Sequence, residues 1–140
     1  MTDELFMAKL SDRLEIEEGM ELFLYKCTSG KDTLGVGRNI SDRGISADEA
    51  KYLLRNDIIS CISELDHNFR WWKDLSENRR IVMGDLIFNL GLSKLKQFKK
   101  FLAAMESGDY ETASEELLDS RYAKQLPNRS GRNSQIIKDG

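Results

Sequence analysis

The chain has 140 residues, enough for one domain that can be pinched into two lobes. Its 40% hydrophobic and 32% charged content excludes a disordered tail, and 21 basic against 24 acidic residues lack the basic balance of a nucleic-acid binder. One histidine and two cysteines exclude a disulfide framework and a zinc site of the usual kinds, so no metal and no cofactor are expected. Apolar runs are only a few residues long, so no membrane insertion is expected. No basic stretch followed by an apolar one opens the chain, so no signal peptide is expected.

The first element, Thr2 to Glu18, reads as a helix with Leu5, Phe6, Leu10, Leu14 and Ile16 at helical spacings and Gly19 as its stop. From Met20 the pattern changes. Leu22 to Tyr25 reads as a strand, Thr28 to Asp32 as a turn cluster, and Thr33 to Gly37 as a second extended segment, together a hairpin. Gly35 and Gly37 fall where backbone must approach closely, and no third glycine completes a dinucleotide fingerprint. Ser46-Ala47-Asp48-Glu49 is a capping box opening a long helix whose apolar residues run from Ala50 through Leu54, Ile58 and Ile62 to Leu65. His67 reads as a surface residue rather than a ligand.

From Ser76 the chain reads as all-helical. One apolar set, Ile81, Val82, Leu86, Ile87 and Leu90, closes at Gly91; the next, Phe98, Phe101, Leu102 and Met105, closes at Gly108. Asp109 caps a further helix, and a basic segment, Arg129 to Lys138, follows Pro127. A hairpin lobe plus a helical lobe is an α+β arrangement. Lys94, Lys96, Lys99 and Lys100 cluster and read first as a solvated helix face.

Glu18, Cys27 and Thr33 are the polar positions that carry chemistry. A hairpin folded back over the end of the first helix would bring them to one cleft. Glu18 at that junction is expected to be partly desolvated and so kept as the protonated acid. Such an acid can donate to a glycosidic oxygen, while groups opposite hold the water of an inverting hydrolase.

Glu18, Cys27 and Thr33, set in Ile16-Glu17-Glu18-Gly19 and Thr33-Leu34-Gly35-Val36-Gly37, resemble the pattern of the phage-type lysozymes of glycoside hydrolase family 24. Asn78-Arg79-Arg80 with Ile87-Phe88-Asn89-Leu90-Gly91 is similar to that family's core helix. Ser120-Arg121-Tyr122 with Pro127-Asn128-Arg129 is similar to its late segment. The resemblance implies a lysozyme-like α+β fold. A small N-terminal lobe with an antiparallel sheet (about 19–45) is joined by a long helix (about 46–66) to a helical lobe (about 67–140, plus the N-terminal helix).

It also implies a muramidase that cleaves the β-1,4 bond between N-acetylmuramic acid and N-acetylglucosamine. Glu18 would be the general acid, Thr33 would position water, and Cys27 would stand where many members have aspartate. A thiolate there would supply the negative charge. Phe88, Asn89 and Arg129 would bind substrate. Phe88 is either cleft floor or plain core, and Arg129 stands where the family pairs an arginine with the catalytic glutamate. Arg38 and Asp57 would form a salt bridge from hairpin to long helix.

The implied partner is bacterial peptidoglycan, met by a monomer. A phage or prophage endolysin of this kind would stay in the host cytoplasm until a holin-type pore opened a way to the periplasm and wall. The net charge of −3 departs from the basic character of many phage lysozymes. Two other readings stay open: a weakly active or inactive lysozyme-fold module that binds peptidoglycan or another protein, and a lytic transglycosylase. Thr33 at the water-positioning spacing favours hydrolysis over the last.

Overall fold

The computed structural model describes residues 3–140. Helix α1 spans Glu4–Glu18; the predicted start at Thr2 lies outside the described residues. The Asp3 carboxylate accepts from Leu5 and Phe6 N–H, and Gly19 ends the helix at φ +73° with its N–H on the Glu15 carbonyl. Strands β1 (Glu21–Lys26), β2 (Asp32–Gly35) and β3 (Arg38–Asn39) form an antiparallel sheet in the order β1-β2-β3. The register of β1 against β2 slips between Glu21 and Tyr25, so the pairing is bulged. Reading residues 33–37 as one extended segment overran the second strand. The chain turns at Val36-Gly37 and returns as β3, because Gly35 and Gly37 take φ of +71° and +65°.

A short helix α2 (Ile40–Arg43) leads to the long helix α3 (Ala47–Asn68). The expected capping box opens α3: Glu49 N–H donates to Ser46 Oγ at 3.1 Å, and Ser46 N–H donates to Glu49 Oε1 at 2.8 Å. Glu49 also corrects a sequence expectation. Arg38 does not use Asp57; its guanidinium sits 2.9 and 2.7 Å from the two oxygens of Glu49 and donates to the Gly44 carbonyl. A carboxylate already fixed in the first helical turn, eleven residues on, meets the guanidinium with no further ordering of chain.

A 3₁₀ turn at Arg70–Asp74 is followed by α4 (Glu77–Leu90), α5 (Leu92–Lys96), α6 (Lys99–Ser107), α7 (Tyr110–Leu118), α8 (Arg121–Gln125) and α9 (Pro127–Asp139). The basic segment after Pro127 is thus a helix, with proline in the first turn, where its missing N–H costs nothing.

The chain divides into two compact units, one ending at Lys51 and one running Tyr52–Gly140. The second holds a continuous core built on Leu65, Val82, Met83, Leu86, Phe101, Met105, Leu117 and Ile137, each at most 2% exposed. Inside it, Ser114 and Ser134 each donate to the other's carbonyl and tie α7 to α9.

Candidate active site

In the first unit the sheet positions three predicted residues. Glu18 is the last residue of α1, and its carboxylate lies over Gly37. A Cβ built on Gly37 would stand 2.9 Å from Glu18 Oε2. Gly37 therefore has two reasons to be glycine, its left-handed φ and the room it leaves. The expected burial of Glu18 is not found; the residue is exposed.

Cys27 follows β1 at the head of the turn. Its N–H donates to the Lys31 carbonyl, and its own carbonyl accepts from Gly30 N–H, each at 2.9 Å. The Ser29 hydroxyl lies 3.1 Å from Sγ. Hydrogen bonds favour the thiolate and bring its pKa down to about 7, first that of the Ser29 hydroxyl, then backbone contacts at Lys31 and Ser29.

Thr33 is buried on β2, paired with Tyr25 and Asn39, and its hydroxyl donates to the Lys31 carbonyl at 3.0 Å. The turn thus brings Cys27 and Thr33 together around one backbone carbonyl.

The second unit contains a groove of about 800 Å³ whose walls include Ile58, Ile62, Ile81, Phe88, Asp85 and Arg129. Phe88 is 47% exposed and borders this groove. Asn89 is exposed and does not line the groove, so the structure joins Phe88 with Arg129 but not with Asn89.

Arg129 has a carboxylate partner within its own unit: Nε donates to Asp85 Oδ2 at 3.0 Å and a terminal nitrogen reaches Oδ1. Asn133 Nδ2 adds a bond of 2.7 Å to Asp85 and one of 2.9 Å to the Tyr122 hydroxyl. Arg129 foremost, with Asn133 and Arg132, holds the Asp85 carboxyl below the usual carboxylate range against the opposing effect of burial. The sequence reading missed Asp85. Its signal was a carboxylate three residues before Phe88 inside an apolar helical set, which requires a partner. Ser29 was read only as a turn residue, with nothing to mark its hydroxyl as a thiol partner.

Among the described residues no group of three or more His, Cys, Asp or Glu is placed to hold a metal ion, and no helix is long and apolar enough to cross a membrane.

The phage lysozyme family model matches residues 15–135, a span that takes in Glu18, the sheet, α3 and the helices through most of α9. The chain belongs to the phage lysozyme family. It is 25% identical to the probable T4-type lysozyme 2 of Dictyostelium discoideum, over 96% of each chain. It is 32% identical to the endolysin of Acyrthosiphon pisum secondary endosymbiont phage 1, over 76% of this chain and 73% of that one. It is also 23% identical to the pre-baseplate central spike protein Gp5 of Enterobacteria phage T4; that match takes in 99% of this chain but only 29% of the spike protein. The chain has a lysozyme-like function as a glycosidase-type enzyme, and the family implies peptidoglycan as its substrate. The α+β fold expected from the sequence is the fold found.

Proposed function

We propose that this protein is an inverting muramidase, hydrolysing the β-1,4 bond between N-acetylmuramic acid and N-acetylglucosamine. We assign it the role of a phage or prophage endolysin, held in the host cytoplasm and admitted to the wall through a holin-type pore. Glu18 acts as general acid and gives its proton to the leaving glycosidic oxygen. The Cys27 thiolate supplies negative charge to the oxocarbenium-like transition state and takes a proton from the attacking water. The oxygen of that water bonds to the anomeric carbon as the glycosidic bond breaks. Thr33 keeps lone pairs free on its hydroxyl oxygen and accepts a hydrogen bond from that water. Phe88 and Arg129, which line one groove, serve the saccharide.

The observation that supports this reading is the Cys27 thiol at about 7, bonded to Ser29 and adjoining Thr33. A base poised near neutrality is in the useful protonation state at working pH. Mass spectrometry of ends released from purified peptidoglycan tests it. Reducing muramic acid ends, with the inverted anomer in fresh product by NMR, are expected. Ends in the 1,6-anhydro form would make the protein a lytic transglycosylase, a retained anomer would require a covalent nucleophile, and no released ends would leave a binding module.

A further inference from the structure

All four lysines between 94 and 100 are exposed, and two of them border a cleft. Lys96, at the end of α5, and Lys99, at the start of α6, converge with Arg70 on a cleft of about 570 Å³ in the second unit, on residues the proposed chemistry does not use. Trp71 lines the same cleft. It is half-buried, packed against the core, and tilted 55° to Phe69 with ring centroids 5.8 Å apart. The indole is therefore a fixed surface rather than a mobile side chain, and fixed aromatic surfaces bind with little loss of conformational entropy.

The charges around it are unbalanced. Arg70, Lys96 and Lys99 are exposed, and the ion pairs among the described residues leave all three out. Glu106 is the one carboxylate on the lining. His67 also faces the cleft, but its Nδ1 is held by the Ser63 carbonyl at 2.7 Å. A concave apolar surface with a few convergent cations suits a ligand that presents a flat apolar face and an acid together.

We propose that this cleft is a second saccharide site, binding an anionic glycan with a sugar ring on Trp71 and its acid group between Arg70, Lys96 and Lys99. A single aromatic platform fits a glycan better than a single-stranded nucleic acid, which stacks successive bases on successive rings. In an acidic protein such a site supplies local attraction to an anionic wall that the net charge does not.

The test is titration of the full-length chain followed by tryptophan fluorescence. Trp72, the other tryptophan, is buried with its N–H on Asp66 at 2.8 Å, so a ligand in the cleft alters the Trp71 signal and the response disappears in Trp71→Phe. Tetragalacturonate carries a carboxylate, a mannose 6-phosphate pentasaccharide carries a phosphate, and cellotetraose is neutral. Saturable binding of either anionic probe, weakened about tenfold in Lys96→Gln/Lys99→Gln and less than about twofold in Lys124→Gln, is expected. Which anionic probe binds tighter identifies the acid as carboxylate or phosphate. Three results would each overturn the proposal: no binding of either anionic probe, equal binding of cellotetraose, or equal or tighter binding of polyglutamate or oligothymidylate. The lysine variant keeps the test informative if Trp71 substitutions disturb the core.

Discussion

The two units are stabilised in different ways. Among the described residues up to Lys51, only Thr33 is buried; the apolar residues of α1 are exposed, and those of the strands are exposed or half-buried. Every buried apolar residue lies beyond Tyr52. Charge divides the same way: residues 1–51 carry seven basic against eleven acidic side chains, and residues 52–140 carry fourteen against thirteen. The first unit keeps its shape through caps, turns and left-handed glycines, and those same groups set the candidate chemistry. A substitution there should alter function far more than melting, and a substitution in the second unit the reverse.

Glu18→Gln puts the first half of that statement to its hardest trial. An amide has no acid proton to give, so wall lysis should fall by ~10²–10⁴ with the melting temperature unchanged. Turbidity loss of purified peptidoglycan measures it, and lysis above a tenth of wild type would remove Glu18 from the acid role. Leu86→Ala tests the other half. Leu86 is 0% exposed, so truncation should cost about 2–5 kcal/mol in denaturant unfolding. Leu22→Ala, at a position 76% exposed, should stay within about 0.5 kcal/mol. Equal costs would erase the distinction between the units.

Cys27 sharpens the comparison within the first unit. If the thiolate is the active form, lysis should rise with pH through about 7, the value set first by Ser29. Cys27→Asp should keep activity and move that rise down toward ~4, the ordinary aspartate range. An unmoved acid limb would assign the ionisation to another group. A modest effect on stability is expected at Asp85. Its folded pKa is depressed by Arg129, so its contribution is present above the unfolded value near ~3.9 and is lost as pH falls below it. Asp85→Asn should therefore destabilise by about 1 kcal/mol at pH 7, and the difference from wild type should vanish in acid.

The fold was legible because its signals are local. Gly19, the Ser46–Glu49 box and Asp109 each act within a few residues, and each ends or opens a helix where expected. The third strand was missed by the residue-level reading because two residues carry no periodicity. At the site, spacing singled out Glu18, Cys27 and Thr33. It did not reveal that Glu18 is exposed over Gly37, nor that Arg129 answers to Asp85, 44 residues away. Partners chosen across long sequence separations depend on packing that pattern alone does not carry. Arg38 is the closest instance: two acidic partners were available on one helix, and the nearer, already part of the cap, took the guanidinium.

The Glu49 carboxylate also bears on the order in which the chain organises. It holds the first turn of α3 and the start of β3 at once, across a segment of eleven residues. A contact that closes so short a loop forms on the timescale of ~10–100 ns chain encounters and demands little loop-closure entropy. Residues 38–49 can thus assemble before any long-range packing exists, so the hairpin's return strand is anchored early. In a refolding experiment, Glu49→Gln should slow the appearance of the sheet, while a change at Leu117 should act on the later consolidation of the helices.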